Sequence, residues 1–171
     1  MNKRVAAWPL AIALLGGTAH AANDGPVKIG VLTDMTGFLS SSLGEGSVDA
    51  ARMAIEDFGG EVLGRKIELV SADHMNKPDL GLATTRKWFD SEGVDMMIAG
   101  PNSSVGLAAS FVSKEKDKAV PGVAVTSTDF TGKQCTPNAV NWTYDGYMFA
   151  KSVALETVKS GGKKWFFLST D

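Results

Sequence analysis

The sequence has few of the residues that hold structural metals or form disulfides. It contains one cysteine, Cys135, and two histidines, His20 and His74. A structural zinc site takes four ligands, mostly Cys and His, so such a site is excluded along with any disulfide within the chain. The single thiol is either free or paired with something outside these residues. We therefore expect no metal and no cofactor.

Basic residues are also scarce relative to acidic ones. The chain has 17 Lys and Arg against 19 Asp and Glu, a net charge of −2 at pH 7. A nucleic-acid-binding protein presents a basic face, so this balance argues against nucleic acid as a partner. The 171 residues, 44% of them hydrophobic, suffice for one globular domain with a core.

Long hydrophobic runs are missing except near the start of the chain. The apolar run from Val5 to Leu15 is too short to span a bilayer and contains a proline. Lys3 and Arg4 precede it, and the small residues of Ala19-His20-Ala21 follow it. This layout is typical of a secretory signal peptide. We predict that residues 1–22 are such a peptide, cleaved after Ala21 or Ala22, which would change the net charge to −4.

Beyond residue 26 the hydrophobic pattern alternates between strands and helices. It predicts strands at Val27–Leu32, Lys66–Val70, Val94–Ala99 and Val120–Val125, and helices at Val48–Phe58, from Pro78 to near Gly93, and at Val105–Lys116. Such alternation predicts an α/β fold, with a doubly wound parallel sheet and flanking helices. Ligands of these folds gather at the carboxyl ends of the strands.

The segment Gly100-Pro101-Asn102-Ser103-Ser104 stands where one predicted strand ends and a helix begins. Gly-Pro stops the strand, and Asn102, Ser103 or Ser104 can cap the helix. Alternatively, free N–H groups and a hydroxyl at this helix start can hold a carboxylate, because a helix N-terminus attracts anions. The pattern alone leaves both interpretations open.

Signals for catalysis are weak. The chain lacks a G-x-S-x-G nucleophile motif, and Gly60 to Lys66 matches the phosphate-loop pattern only in part. His74 lies in a polar segment and is expected to be solvated, so we predict that the protein is not an enzyme. Most aromatic residues are expected in the core, namely Trp88, Phe89, Trp142, Trp165, Phe166 and Phe167. For Trp142 alone, a position along a ligand cleft is the alternative.

Three segments carry a family resemblance. They are the opening strand with its Thr-Gly turn (VKIGVLTDMTG), the helix that ends in Asp57-Phe58-Gly59-Gly60, and the D-x-x-N-K-P-D element from Asp73 to Asp79. Together they resemble the leucine/isoleucine/valine-binding branch of periplasmic substrate-binding proteins, the receptors of ABC importers. The resemblance covers Val27 to Asp171.

The resemblance implies two α/β lobes with the ligand in the cleft between them. First-lobe contacts would come from Leu43, or else Phe38, and from the Asn102, Ser103 and Ser104 loop, where Ser103 meets a ligand carboxylate. The loop with Val125, Thr126 and Ser127 would add a carbonyl at Val125 for a ligand amine and the hydroxyl and N–H of Ser127.

The resemblance also implies a periplasmic location, a permease in the inner membrane as partner, and a small ligand that carries a carboxylate. Branched-chain receptors usually have Thr and Ala where this chain has Ser127 and Val125, and GFLSSSLGEG is closer to the subgroup for aromatic acids and amides. The ligand could therefore be a branched-chain or other amino acid, an amide or an aromatic acid. The alternative is the ligand-binding domain of a sensory receptor.

The resemblance further divides the chain into two parts. Residues 27–142 would form the N-terminal ligand-binding lobe, and residues 143–171 the crossover and the start of an incomplete second lobe, with a helix from Tyr147 to Ser160 and a strand from Lys164 to Leu168. We therefore expect a truncated chain. A genuine single-lobe protein, the alternative, would leave that helix and strand without a sheet.

Overall fold

The computed structural model of the protein describes residues 25–166. The predicted signal peptide, Phe167 and Leu168 lie outside these residues. The strands are β1 (Val27–Thr33), β2 (Glu61–Val62), β3 (Arg65–Asp73), β4 (Met96–Ala99), β5 (Val120–Gly122) and β6 (Ala139–Asn141). The helices are α1 (Ser40–Leu43), α2 (Glu45–Phe58), α3 (Pro78–Asp90), α4 (Ser103–Lys116) and α5 (Gly146–Lys159).

The strands form one sheet in the order β2-β3-β1-β4-β5-β6. All neighbours are parallel except β2, which pairs antiparallel with β3. The central strand β1 pairs with β3 along its whole length, from Val27 opposite Ile67 to Thr33 opposite Asp73. Its other edge pairs with β4, from Ile29 opposite Met96 to Leu32 opposite Ala99.

Helices lie on both faces of this sheet, because successive side chains of β1 point to opposite sides. Leu32 joins the core that α3 and α4 cover, together with Trp88 and Val105. Val31 and its neighbours at alternate positions instead line a groove under α2, beside Ala51 and Ala54. The predicted fold class, a doubly wound parallel sheet with flanking helices, is therefore confirmed.

Each predicted helix is present, and local signals account for the ends. Gly59 ends α2 in the left-handed conformation with φ 101°, which a glycine adopts at low cost. Pro78 occupies the first position of α3, where its missing N–H is not needed. Helix α5 begins after Asp145, whose side chain accepts a hydrogen bond from the N–H of Met148.

The strands agree less well with the sequence pattern. Strand β5 ends at Gly122 instead of Val125, because the backbone at Ala124 turns to a left-handed φ of 59° and leaves the sheet. The structure adds β2 and β6, which the pattern did not predict. Residues 164–166 of the predicted last strand have no regular secondary structure.

The aromatic residues divide by position. Trp88 and Phe89 are buried in the core under α3, as predicted. The expectation is wrong for Trp142, Trp165 and Phe166, which are 77%, 45% and 90% exposed. These residues follow the sheet in the chain, and α5 between them has no buried residue. Among the described residues, no helix is long and apolar enough to cross a membrane.

Gly30 of β1 provides a test of the core. A Cβ at this position would lie 2.5 Å from Cζ3 of the buried Trp88 ring. We expect Gly30→Ala to lower the free energy of unfolding by about 1–3 kcal/mol, since an overpacked core must shift. Urea denaturation measures this effect. Gly46→Ala is the matched control, because a Cβ there meets no atom within 4 Å; equal stability of the two variants would contradict the packing.

Candidate functional site

The loops that follow β1, β3, β4 and β5 meet at the carboxyl edge of the sheet. Gly100, directly after β4, brings two of them into contact, since its N–H donates to the Leu32 carbonyl at 2.8 Å. A Cβ on Gly100 would lie 2.8 Å from Thr33 Oγ1 and 2.9 Å from the Leu32 oxygen. Only glycine permits this close approach, which holds the Gly100–Ser104 loop against the end of β1.

Asn102 is the N-cap of α4. Its backbone is extended, with φ −98° and ψ 116°, and its Oδ1 accepts a hydrogen bond from the N–H of Val105 at 3.0 Å. Ser103 and Ser104 are therefore the first two residues of the helix. No acceptor among the described residues takes their N–H groups. The capping interpretation thus applies to Asn102, and the two serine amides remain available to an anion.

The hydroxyl of Ser103 connects two of the loops. Its Oγ accepts a hydrogen bond from the N–H of Ser127 at 3.1 Å. Oγ1 of Thr126 lies 3.5 Å away, which is long for a hydrogen bond between hydroxyls. A serine hydroxyl that accepts one bond still has its own hydrogen to donate. The Ser103 hydrogen can therefore bond to a ligand.

A cleft of about 570 Å³ opens in front of these groups. It is lined by Phe38, Leu39, Asn76, Pro101, Asn102, Ser103 and Ser104. The cleft thus contains the alternative residue Phe38. Leu43 lines a separate apolar groove of about 550 Å³ between α2 and the sheet, and its carbonyl accepts a hydrogen bond from the Thr33 hydroxyl.

The loop after β5 is shaped by a buried anchor and two tethers. The Val125 side chain is fully buried, and a Cβ on Gly106 of α4 would lie 2.6 Å from its Cγ2. The N–H of Ala124 donates to Thr143 Oγ1 at 2.9 Å, and the N–H of Gly146 donates to the Thr126 carbonyl at 2.8 Å. These contacts hold exposed Thr126 and half-buried Ser127 beside Ser103.

His74 is the residue that sequence reasoning misjudged. Its side chain is fully buried behind the loop edge, not solvated. The ring nitrogen Nδ1 accepts a hydrogen bond from the N–H of Asn76 at 3.0 Å. Oδ1 of Asn76 in turn accepts a bond from Nδ2 of Asn102 at 2.6 Å. The residues around His74 in the sequence are polar, so they did not indicate that its ring packs beneath the Met75–Asn76 turn.

Two acidic residues stand beside His74. Asp34 is fully buried, and its carboxylate accepts hydrogen bonds from the N–H groups of Gly37 and Leu39, each at 2.8 Å. Burial raises the pKa of Asp73, but bonds from the Thr36 hydroxyl and from two backbone N–H groups outweigh it and lower the pKa below its usual value. Burial also lowers the pKa of His74, against the opposing effect of the two carboxylates.

The cleft offers hydrogen-bond donors that can hold an anion. Its polar groups are amides and hydroxyls, which are neutral at pH 7. Within residues 25–166, no group of three or more His, Cys, Asp or Glu side chains could hold a metal ion.

Comparisons with known proteins agree with this geometry. A sequence profile of the periplasmic binding protein family matches residues 26–171. The chain belongs to the periplasmic binding protein family. Its members are solute-binding receptors, not a family of enzymes. No curated protein sequence is significantly similar to the chain.

Solved structures of this family superpose on the chain. A periplasmic binding protein from Burkholderia mallei is 41% identical, with a TM-score of 0.80 over 82% of this chain. A branched-chain amino acid ABC transporter periplasmic ligand-binding protein from Burkholderia xenovorans is 37% identical, with a TM-score of 0.74 over 82%. A solute-binding protein from R. palustris, solved with benzoate, is 23% identical, with a TM-score of 0.74 over 80%.

The chain is much shorter than these family members. The matched region covers 38%, 37% and 38% of the three solved chains, in the order given. What a complete periplasmic binding protein binds, and which permease it serves, is therefore a matter for proposal.

The cap of α4 can be tested independently of any ligand. We expect Asn102→Ala to lower the free energy of unfolding by about 0.5–2 kcal/mol, because the Val105 N–H loses its acceptor. Asn102→Asp keeps the capping oxygen but loses the N–H that bonds to Asn76, so it should retain most of the stability. Thermal and urea unfolding of the parent and the two variants measure their stabilities, which should fall from the parent to Asn102→Asp to Asn102→Ala. An equal loss of stability in the two variants would contradict the capping role.

Proposed function

We propose that this periplasmic binding protein is part of the extracytoplasmic solute receptor of an ABC importer. It acts in the periplasm, delivers its ligand to a permease in the inner membrane, and binds a small molecule that carries a carboxylate. It catalyses no reaction. Two lobes close over the ligand by a hinge motion, and the described lobe supplies the carboxylate contacts.

The observation that carries this proposal is the hydrogen bonding of Ser103. Its hydroxyl oxygen accepts the Ser127 N–H, so its own hydrogen is available to donate to a ligand. The N–H groups of Ser103 and Ser104 stand beside it at the positive end of the α4 dipole. These three donors belong to two adjacent residues at one helix start, a set that suits the two oxygens of a carboxylate.

The neighbouring residues support a ligand with an apolar body. Phe38 is 75% exposed and lines the same cleft as Ser103. Its ring can pack against a hydrocarbon or aromatic ligand while the serines hold the charged end. Thr126 and Ser127, which lie beside the Ser103 hydroxyl, would add further hydroxyls for the ligand. The Val125 carbonyl would accept a hydrogen bond from a ligand amine. Leu43, which lines the separate groove under α2, would contact the apolar part of the ligand.

The solved relatives support the same ligand chemistry. One was crystallised with benzoate, and another is described as a branched-chain amino acid receptor. Both ligand classes carry a carboxylate on an apolar body. We therefore propose branched-chain or other amino acids and aromatic acids as the substrate classes; an amide would have to replace the carboxylate with a neutral group and should bind more weakly.

Solution NMR of the purified chain tests the carboxylate directly. Benzoate and L-leucine should shift the amide resonances of Ser103, Ser104 and Ser127 as concentration rises. Benzamide has nearly the shape of benzoate but no charge, so it should shift them far less. Equal effects of benzoate and benzamide, or shifts confined to the groove under α2, would refute the proposed carboxylate site.

Ser103→Ala tests the hydroxyl. We expect it to weaken benzoate binding by about 1–3 kcal/mol, or roughly 5- to 150-fold in Kd, as for a lost hydrogen bond to a charged group. Ser91→Ala is the matched control, because Ser91 ends α3 at the opposite edge of the sheet and bonds the Lys87 carbonyl. An unchanged Kd in Ser103→Ala would remove this residue from the site.

A further inference from the structure

The turn after β3 is held in an unusual conformation by the His74 ring. Met75 and Asn76 both have left-handed backbones, with φ of 50° and 55°. Such a conformation persists in residues other than glycine only where its surroundings hold it. Here the N–H of Asn76 donates to His74 Nδ1, and the N–H of Lys77 donates to the His74 carbonyl at 2.7 Å.

The protonation state of the ring follows from this bond. A backbone N–H can only donate, so Nδ1 must carry a lone pair and the imidazole must be neutral, with its hydrogen on Nε2. The side chain is fully buried, and Nε2 has no hydrogen-bond partner among the described residues. A second proton would therefore remove the acceptor for Asn76 and leave a buried cation with no direct acceptor.

The same turn is connected to the candidate site. The Asn76 side chain accepts the Asn102 amide, and Asn102 caps the helix that begins with Ser103. A chain of three hydrogen bonds thus runs from the ring to the start of α4.

We propose that His74 is a positioning residue for the candidate site. Its neutral ring holds the Met75–Asn76 turn and, through Asn76, keeps Asn102 in place, and a second proton on the ring releases both. The part of this inference that concerns ligand affinity rests on the function proposed above, whereas the release of the turn does not.

The charged surroundings set the direction of the pH effect. Two carboxylates face the ring, Asp34 after β1 and Asp73 at the end of β3, and both favour the charged form, while burial disfavours it more strongly. The Lys77 side chain is exposed. The pKa of His74 is therefore below 6.5 in the folded protein. Below about pH 6.5 the unfolded chain takes up the proton first, so His74 contributes stability above that pH and loses it as pH falls towards the folded pKa.

NMR of the purified chain tests the release of the turn. Near neutral pH, His74 should show the tautomer with its hydrogen on Nε2. On acidification, the amide resonances of Asn76 and Val105 should shift with the same midpoint as the ring, below about pH 6.5. A hydrogen on Nδ1 at neutral pH, or amides that do not follow the ring, would overturn the inference.

Two variants distinguish the hydrogen-bonding role of the His74 ring from its contribution to packing. In His74→Asn, the side-chain oxygen can accept the N–H two residues on, as Asn does in turns, but it does not titrate. The Asn76 and Val105 resonances should then stay constant down to about pH 5. His74→Leu has no acceptor and should displace both resonances at every pH. A His74→Asn protein that titrates like the parent would contradict the role of the ring.

Benzoate affinity distinguishes this inference from the proposed function. We expect Kd to be about fivefold weaker at a pH below the midpoint of the ring than near pH 7.5 in the parent, and constant in His74→Asn. Constant affinity in both proteins would overturn the link to the site while the carboxylate proposal stands. If benzoate leaves the Ser103 resonances unmoved at both pH values while Asn76 still follows the ring, the proposed function fails and the released turn stands.

Discussion

The parallel pairing of β1 with β3 on one side and with β4 on the other determines where the loops of this protein can lie. Parallel strands place all their carboxyl ends at one edge, so the segments after Thr33, Asp73 and Ala99 must meet there. The bond from Gly100 to the Leu32 carbonyl continues this pairing beyond the strand. The position of the cleft thus follows from the backbone hydrogen bonds of the sheet, whichever side chains line it.

Polar side chains at that edge mostly bond to backbone groups of neighbouring loops. Asp73 accepts from Met35 and Met75, and Ser103 accepts from Ser127. Buried polar groups without such partners are costly, so these bonds hold the loops in one arrangement. A site built in this way is preorganised, and the affinity that it provides depends on how little the loops must rearrange when an anion arrives.

Sequence reasoning succeeded where a local signal determines the structure. The Gly59 stop and the Pro78 start follow from the preferences of single residues, and the cap of α4 is Asn102, one of three residues that the sequence left open. It missed β2, because the turn at Leu63 and Gly64 places a leucine at φ 52°, a conformation that leucine rarely adopts and that does not predict a hairpin.

The rest of the site depends on contacts between segments far apart in the chain. His74 looked solvated because its neighbours in sequence are polar, whereas its burial results from the pairing of β3 with β1. In the same way, Phe38 and Leu43 are close in sequence but line different cavities, because Leu43 belongs to α1 and Phe38 lies in the loop before it. The local sequence alone therefore predicts neither the burial of His74 nor the separation of Phe38 from Leu43.

Cys135 has a practical consequence for work on this protein. It is the sole cysteine of the chain and its residue is exposed. It belongs to the segment that leads away from Ser127, where the N–H of Phe130 donates to the Ser127 carbonyl and the N–H of Cys135 donates to the Gly132 carbonyl. A maleimide dye will therefore attach at a single place, on the segment that follows Ser127, without any prior removal of competing thiols.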